Sequence, residues 1–281
     1  MYPNKERQCF DEKNKVVYKY NTMASDKSWN KIYEYTGMGK HDFNKSPFEL
    51  TAEQIKKACQ DFTKTTEKEV RILCKQDERS SRPAVFKKNG LFILPKRNGI
   101  YYVIKGEGYV DIPEIISPIQ DYYKKLDFDL ISSEVGDSEM QHLDYAYANS
   151  LIRTFMNDES LVLTIRGRKY TPTFTCKVDV FPLEISSVQT EVDAGYEGKD
   201  KIVLIEAKNS SNTDTIIRQL YFPYRQWQDT TGKTVYPLFF EKRIINKERI
   251  YYIWQFEFTD KNDYNSIRLV KSARYRILSK Q

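Results

Sequence analysis

The chain has 281 residues, of which 40% are hydrophobic and 30% charged, a balance that excludes a disordered or fibrous chain and suits one large or two modest folded domains. Its 45 lysine and arginine residues against 39 aspartate and glutamate residues give a net charge of +6, so a surface for a polyanionic partner would need local clusters of cations. Four cysteines without a CxxC pair and only two histidines argue against a disulfide framework and a zinc site.

The N-terminal part of the sequence predicts an arm followed by two short helices. Residues 1–27 are polar and rich in lysine, which predicts a loosely packed arm with a short strand at residues 16–20. The first helix begins at a capping box formed by Thr51 and Gln54, and the second at a capping box in residues 66–69. Apolar residues at helical spacing follow each box, so we predict a pair of helices separated by a tight turn.

A β-hairpin is the next predicted element. An Asn-Gly dipeptide at positions 98 and 99 separates the apolar runs 91–94 and 100–104, and this pattern is the strongest short-range signal for a hairpin. Two helices and a hairpin are the parts of a winged-helix unit, so we predict a winged-helix-like domain over residues 1–115. Four cations at the hairpin tip or before it are candidates for contacts with nucleic-acid phosphates: Lys87, Lys88, Lys96 and Arg97. The alternative is a small α+β domain whose lysines are only solvated.

A domain boundary and a helix-rich segment are predicted after the hairpin. Glycines at positions 106 and 108 and the prolines of residues 113–118 indicate the boundary, and residues 120–125 are predicted as a helix. Ser138 predicts the start of a further helix, because Gln141 follows it at the spacing of a capping box. One apolar stripe forms a side of that helix: Met140, Leu143, Tyr147, Leu151 and Thr154. Glu139 flanks the stripe in the first turn, where an acid complements the helix dipole.

Two predicted strands, at residues 161–165 and 174–181, are joined by a segment rich in cations. Three of these cations surround a glycine in what we interpret as a loop: Arg166, Arg168 and Lys169. Such a loop would clamp a nucleic-acid backbone, and a solvated turn is the alternative.

The centre of the chain is a predicted hairpin over residues 190–209, whose second strand ends in Glu206 and Lys208. Side chains alternate along a strand, so Glu206 and Lys208 project from one face. If residues 198–201 form the turn, Asp193 lies directly across from Glu206, with Cβ atoms roughly 5 Å apart. Two adjacent carboxylates repel each other, and a hard cation such as Mg²⁺ removes the repulsion. A surface hairpin with solvated charges is the alternative.

The remaining sequence predicts a helix and three strands. Residues 213–228 are predicted as a helix that Pro223 kinks or ends. The strands are predicted at residues 236–240, 249–258 and 267–277. A strand-helix-strand order predicts a crossover, and therefore a sheet with both parallel and antiparallel pairs. We expect an α/β (α+β) domain over residues 116–281, with a mixed sheet flanked by helices.

The central hairpin resembles the PD-(D/E)xK nuclease superfamily. Asp193, Glu206 and Lys208 follow the order of its motif, and residues 190–209 are most similar to type II restriction endonucleases within it. Val192, not proline, precedes the aspartate, at a position that varies among such enzymes. The resemblance implies a restriction-endonuclease-like fold and Mg²⁺-dependent, sequence-specific hydrolysis of phosphodiester bonds in double-stranded DNA.

The same resemblance implies roles for individual residues and partners. Asp193 and Glu206 would bind Mg²⁺, Lys208 would polarise the attacking water, and Glu139 would be a further metal ligand. Such enzymes usually act as homodimers and have a DNA methyltransferase as a genomic companion.

Two other functions compete with restriction. One is a DNA repair or junction nuclease of the same superfamily, and the other is a non-catalytic DNA-binding protein that retains the fold. The complete set of Asp193, Glu206 and Lys208 argues against the second, because a degenerate site would have lost at least one member. No apolar run approaches the length of a membrane span, and the N-terminus lacks a hydrophobic signal region, so we expect a cytoplasmic protein without a membrane partner.

Overall fold

The computed structural model describes residues 8–10, 16–18 and 25–279. The chain folds into two compact units. The first contains the described residues up to Gln76, together with Ser80–Ile93 and Tyr101–Gly106. The second contains Asp77–Arg79, Leu94–Ile100 and the residues from Glu107 onward. The predicted domain limits, 1–115 and 116–281, stay predictions.

The first unit combines short helices with a three-stranded sheet. Its helices are α1 (Asp26–Tyr35), α2 (Ala52–Ala58), α3 (Thr65–Lys68), α4 (Val70–Leu73) and α5 (Ala84–Asn89). Its strands are the paired β1 (Gln8–Phe10) and β2 (Val16–Tyr18), then β3 (Phe48–Thr51), β4 (Leu91–Arg97) and β5 (Ile100–Lys105). The order in the sheet is β3-β5-β4, with the tip of the β4–β5 hairpin grouped in the second unit. Most of the predicted N-terminal arm lies outside the described residues.

Capping explains why the prediction succeeded for one helix of this unit and failed for the other. The box at α2 is formed, since the Gln54 amide donates to Thr51 Oγ1 (3.1 Å) and the Thr51 amide donates to Gln54 Oε1 (2.8 Å). The predicted second box is wrong. Thr66 lies inside α3, which has no side-chain cap, and the extended backbone of Glu69 separates α3 from α4. The hairpin turn at Asn98 and Gly99 is as predicted, and Gly99 adopts the positive φ (+74°) that favours glycine.

The core of the first unit is built around α1. Trp29 and Ile32 are completely buried and pack with the apolar sides of α2, α4, β4 and β5. Two hydrogen bonds fix the interrupted α3–α4 segment against α1: Ser28 Oγ donates to the Glu67 carbonyl (2.6 Å) and Trp29 Nε1 donates to the Leu73 carbonyl (3.2 Å). These tertiary contacts hold two single-turn helices that are too short to be stable alone.

The second unit is a seven-stranded mixed sheet, in the order β7-β16-β15-β14-β12-β11-β8. The strands of this sheet, by position in the chain, are β7 (Gln120–Tyr123), β8 (Val162–Tyr170), β11 (Gln189–Glu197), β12 (Lys201–Lys208), β14 (Thr234–Ile245), β15 (Glu248–Phe258) and β16 (Ile267–Leu278). The pairs β12/β14 and β16/β7 are parallel, and the others are antiparallel. The predicted mixed sheet is confirmed.

Smaller strand pairs and helices complete the unit. The pairs are β6 (Tyr109–Asp111) with β13 (Asp214–Ile216), and β9 (Phe174–Val178) with β10 (Phe181–Ile185). The helices are α6 (Glu139–Ala148), α7 (Leu151–Met156) and α8 (Arg218–Thr231). Single 3₁₀ turns occur at Met38–Lys40, Arg79–Ser81, Ile131–Glu134 and Tyr264–Ser266. None of the helices in the described part of the chain is both long and apolar enough to cross a membrane.

Helices cover both faces of the sheet. Leu143, Ile152 and Phe155 of α6 and α7 belong to one core cluster with Ile205 and Ala207 of β12. Because side chains alternate along a strand, Glu206 points to the opposite face, where Gln219 of α8 contacts it. The sheet flanked by helices therefore places the end of β12 between helices of both layers.

Several predicted elements of this unit differ from the structure. Residues 120–125 are not a helix, because the edge strand β7 pairs with β16. The predicted strand 174–181 is the hairpin β9–β10, which turns at Asp179 with φ +54°. The helix after Ser138 breaks at Ser150 (φ +64°), and two members of its stripe, Met140 and Thr154, are exposed.

Pro223 does not end its helix. Residues 214–216 form β13, and α8 then runs through Pro223 to Thr231. Proline removes one backbone hydrogen bond inside a helix. Its neighbours Leu220, Tyr221 and Phe222 are almost completely buried, and this burial outweighs the loss.

Candidate metal centre

The turn between β11 and β12 sets the register of the central hairpin. The Gly198 amide donates to the Lys201 carbonyl (2.8 Å), and the strands pair from Glu197 with Ile202 to Ala194 with Ile205. The next positions in this register are Asp193 and Glu206, as the sequence predicts. The two residues therefore lie across from each other where the ladder ends.

A β-bulge turns Asp193 toward β12. On the other side of β11, Val192 pairs with Gly167 and Gly195 pairs with Ile165, so Asp193 and Ala194 together oppose the single residue Arg166. Bulges of this kind re-aim side chains and often lie beside active sites. Asp193 Oδ2 accepts a hydrogen bond from the Ala207 amide (2.8 Å), which fixes the carboxylate at the end of β12.

Glu206 is buried, with 9% of its surface exposed, and two donors hold it. Its Oε1 accepts hydrogen bonds from Lys208 Nζ (2.5 Å) and from Gln219 Nε2 (2.8 Å). Burial, together with the charge of Asp193, raises the pKa of Glu206 to about 7 against the opposing effect of Lys208. Within residues 25–279, Asp193 Oδ1 and Glu206 Oε2 accept no hydrogen bond, so each carboxylate keeps one oxygen for a ligand.

Burial also affects the pKa values of the neighbouring Asp193 and Lys208. Burial raises the pKa of Asp193, although the Ala207 amide and Lys208 act in the opposite direction. Burial disfavours the charged form of Lys208, but the carboxylate of Glu206, followed by Glu139 and Asp193, raises its pKa above the ordinary range. The site is therefore a desolvated pair of acids with one cation bound to it.

Glu139 lies at the start of α6, near the cation of this site. Ser138 caps the helix by accepting from the Gln141 amide (3.2 Å), as predicted. In the part of the chain that the structure describes, no three His, Cys, Asp or Glu side chains lie close enough together to hold a metal ion. The role of Glu139 as a metal ligand stays a prediction.

The cations predicted in a loop are instead strand residues, because β8 continues to Tyr170. Arg166 binds both oxygens of Asp144 and lies close enough to Asp193 to lower its pKa. Arg168 Nε lies 3.3 Å from Glu191 Oε2, and Lys169 is exposed. Two of the three cations are thus already ion-paired.

The other cations that are predicted to bind phosphates differ in their burial and in their contacts within the protein. Lys87, on α5, donates to the Ser80 carbonyl (2.7 Å), whereas Lys88 is exposed. Lys96 is half-buried and Arg97 is exposed in the last part of β4. Their role in DNA binding stays a prediction.

Three residues of the site are not predicted from the sequence. Gln219 binds Glu206 from α8, and Thr215 Oγ1 orients it by donating to Gln219 Oε1 (2.9 Å). The charge of Asp77 also raises the pKa of Glu206, and Arg218 Nη2 lies 3.2 Å from Asp77 Oδ1. The predicted helix directly after the central hairpin is a signal that could have placed Gln219 near the site. Nothing in the sequence links the distant Asp77 to the site.

Comparison with known proteins gives two family matches. A family model described as a domain of unknown function (DUF6997) matches residues 104–276, and a second, described as a domain of unknown function (DUF6996), matches residues 26–103. No curated protein and no solved structure is significantly similar to the chain.

Proposed function

The chain belongs to the DUF6997 family, and we propose from the geometry of its site that it is a Mg²⁺-dependent endonuclease of double-stranded DNA, sequence-specific in the manner of type II restriction enzymes. One observation carries the proposal. Asp193 and Glu206 face each other on adjacent strands, with Lys208 bound to Glu206. This acid–acid–lysine set at the end of a buried strand is what the PD-(D/E)xK resemblance implies.

The two carboxylates fit magnesium. Mg²⁺ usually keeps several of its waters and is bound through one or two carboxylates plus substrate phosphates. Asp193 Oδ1 and Glu206 Oε2 provide two oxygens that accept no hydrogen bond within the described residues. When bound, the ion supplies Lewis-acid chemistry and a water of lowered pKa. Charge on the ion would also favour ionisation of Glu206, whose pKa burial raises to about 7.

The protein groups around the acids have separate tasks in phosphodiester hydrolysis. Gln219 and the Ala207 amide orient the Glu206 and Asp193 carboxylates. Lys208 Nζ, a donor with no acceptor capacity, would orient the attacking water or stabilise charge that develops on a phosphate oxygen. Arg166, held by Asp144 beside Asp193, would contact the DNA backbone with its remaining N–H groups.

The general architecture of the two units is compatible with a DNA substrate. The mixed sheet flanked by helices is compatible with a restriction-endonuclease-like core. In the first unit, the order α1-β3-α2-α3-α4-α5 followed by the β4–β5 hairpin, with sheet order β3-β5-β4, supports a winged-helix-like recognition domain. The proposal includes a homodimer, as the resemblance implies, and a cytoplasmic location, as the sequence predicts.

Incubation of the protein with large unmethylated DNA and Mg²⁺, followed by mapping of the ends, tests the function. Discrete fragments with one end sequence support restriction, and cleavage without sequence preference, or only at branched DNA, supports the repair or junction nuclease. Asp193→Asn and Glu206→Gln should bind DNA in Ca²⁺ without cutting it in Mg²⁺. Tight binding by the wild-type protein without any cleavage would overturn the proposal in favour of a non-catalytic DNA-binding protein.

A further inference from the structure

We propose that Asp77 is a positioning residue that, together with Thr215, holds the Gln219 amide against Glu206 at the candidate metal centre. The inference rests on the proposed function, because it concerns residues that orient a metal ligand. Asp77 acts through the junction between β13 and α8.

The contact that reaches the acid pair is the hydrogen bond from Gln219 Nε2 to Glu206 Oε1 (2.8 Å). Lys208 Nζ donates to the same oxygen (2.5 Å). Two donors on one oxygen fix the rotation of the carboxylate and leave Oε2 as the oxygen that would bind a metal ion. Gln219 therefore orients the ligand through an amide N–H group, which cannot itself bind a cation.

Thr215 determines which end of the Gln219 amide faces Glu206. Thr215 is 1% exposed, and its Oγ1 donates to Gln219 Oε1 (2.9 Å). Because the hydroxyl proton occupies the amide oxygen, the NH₂ group is left to face the carboxylate. The reverse orientation would set the amide oxygen against the buried carboxylate and leave both acceptors without a proton, which is unfavourable.

Asp77 fixes the backbone between Thr215 and Gln219. Its carbonyl accepts a hydrogen bond from the Ile216 amide (2.7 Å), and its Oδ1 lies 3.2 Å from Arg218 Nη2. Ile216 directly follows Thr215, and Arg218 directly precedes Gln219. One residue therefore binds both sides of the turn at which β13 ends and α8 begins.

The ion pair of Asp77 is protected from solvent, whereas the body of α8 does not depend on it. The side chains of Arg218 and Asp77 are 23% and 19% exposed, so water screens their attraction less than it screens a surface pair. Farther along α8, Leu220, Tyr221 and Phe222 are almost completely buried. Loss of the Asp77 contacts should therefore loosen the first turn of α8 and leave the helix folded.

Asp77 is separated from the rest of the site in the sequence. Glu206, Thr215 and Gln219 lie within the residues that match DUF6997, whereas Asp77 lies before them, within the match to DUF6996. The structure nevertheless groups Asp77–Arg79 with the second unit. A residue from the other family match thus completes the surroundings of the acid pair.

Mn²⁺ binding to the full-length chain, measured by isothermal titration calorimetry, tests this role independently of cleavage. Residues that orient metal ligands typically change metal affinity by about 10–100-fold. Thr215→Val keeps the size of the side chain and removes the hydroxyl, so it should weaken binding about tenfold, whereas Thr215→Ser should restore it. Thr234→Val, at an exposed position at the start of β14, is the matched control and should bind as wild type.

Asp77→Asn and Arg218→Gln separate positioning from a simple effect of charge. Through the electric field alone, removing an acid weakens the binding of a cation and removing a base strengthens it. If the ion pair positions Gln219, both substitutions should weaken Mn²⁺ binding about tenfold. Most of each loss should disappear in the Gln219→Ala background, where the amide is already absent.

Two results would overturn the inference and leave the metal centre in place. One is tighter Mn²⁺ binding by Arg218→Gln, and the other is a set of losses in Asp77→Asn and Thr215→Val that add fully to that of Gln219→Ala. Absence of Mn²⁺ binding by the wild-type protein would overturn the proposed metal centre, and the inference with it.

Discussion

Burial of the Glu206 carboxylate beside Asp193 raises its pKa to about 7, although its ion pair with Lys208 acts in the opposite direction. Removing two acids from water is unfavourable unless both are paired or bound to a cation. Among the described residues, one lysine, Gln219 and one backbone amide donate hydrogen bonds to the two acids, and the nearby Arg166 is already paired with Asp144. This imbalance is unfavourable for stability alone and is typical of a functional site.

The pKa of Glu206 predicts how stability depends on pH in the absence of metal. Its folded pKa of about 7 lies above its ordinary value of 4.5, so the folded state binds the proton more tightly than the unfolded state. Stability from this group is complete below about 4.5 and should decline as pH rises to about 7. Glu206→Gln should remove that decline, as measured by the unfolding midpoint against pH in EDTA.

The comparison of the wild-type protein with Glu206→Gln also controls for the titration of His142, which lies in α6. Burial lowers the pKa of His142, so its contribution to stability is present above the ordinary value of 6.5 and is lost as pH falls from there through the lowered folded pKa, which is the opposite sign. His142 is present in both proteins, and the difference between their curves isolates Glu206. Curves that run parallel between pH 4.5 and 7 would show that the carboxylate is not perturbed.

Substitutions of Lys208 and Lys199 provide a matched pair for testing the rate of DNA cleavage. Lys208 is bound to the acid pair, whereas Lys199 is exposed in the turn of the same hairpin. Lys208→Ala should lower the single-turnover cleavage rate by about 10²–10³, the effect of removing one preorganised donor from a developing charge. Lys199→Ala should cut at the wild-type rate. Equal losses in the two variants would mean that the lysines act only as a diffuse field.

At the scale of elements, Gly195 allows β8 to approach β11 beside the bulge. A Cβ atom there would lie 2.7 Å from Ile165 Cβ and 3.0 Å from Leu204 Cδ2, distances that force the strands apart. Gly195→Ala should therefore reduce the free energy of unfolding by about 1–3 kcal/mol, as overpacking does, measured by urea denaturation. Thr164→Ala, exposed on β8, should change it by less than about 0.5 kcal/mol. Similar values for the two variants would contradict this account of the bulge.

The elements that the sequence predicts well are those with local signals. The Thr51 box, the Ser138 cap, the Asn-Gly turn and the register of the central hairpin each depend on a few adjacent residues. The sequence predicts a helix where β7 lies, because the strand that pairs with it, β16, lies at the other end of the chain. The sequence predicts that Gly167 lies in a loop, but its positive φ belongs to a strand opposite the bulge.

The candidate site also combines contacts that local sequence signals predict with contacts that they do not predict. Asp193, Glu206 and Lys208 come together through strand alternation and one tight turn, which the sequence encodes locally. The ion pair between Arg166 and Asp144 and the contact of Gln219 with Glu206 depend on how β8, α6 and α8 pack on the sheet. No spacing in the sequence encodes that packing.

At the scale of the whole molecule, the total of 45 lysine and arginine residues overstates the cations that remain for DNA. Arg268 and Arg276, for example, form ion pairs with acids on β7 or β15. If Lys88 and Arg97 bind phosphates, Lys88→Ala and Arg97→Ala should each flatten the log–log salt dependence of binding by about 0.9. Lys57→Ala is the control, because Lys57 is exposed and paired with Glu53 at 2.9 Å. Binding measured against salt in Ca²⁺ decides the question, and an unchanged slope in both variants would mean that these cations are only solvated.

The two compact units interleave in sequence, because Asp77–Arg79 belongs to the second unit although it lies between segments of the first. Arg79 Nη1 contacts Asp111 Oδ1 (2.6 Å), and the Arg79 amide donates to Asp214 Oδ1 (2.7 Å). These contacts fix the β6–β13 pair directly before α8, which carries Gln219. Arg82, three residues later, instead donates to the Leu91 carbonyl within the first unit (3.3 Å).

Substitutions at these two arginines should therefore act in different units. Arg79→Ala should accelerate amide hydrogen exchange in β6 and β13 about tenfold, because losing charge-assisted hydrogen bonds lowers the free energy of local opening by on the order of 1–2 kcal/mol. The amides of α1 and α2 should exchange at wild-type rates. Arg82→Ala, measured by the same mass spectrometry, should affect the strand that begins at Leu91 and leave β6 and β13 unchanged. If either substitution accelerated exchange equally in both units, the units would open together, and the segment around Asp77 would not belong specifically to the structure that supports the acid pair.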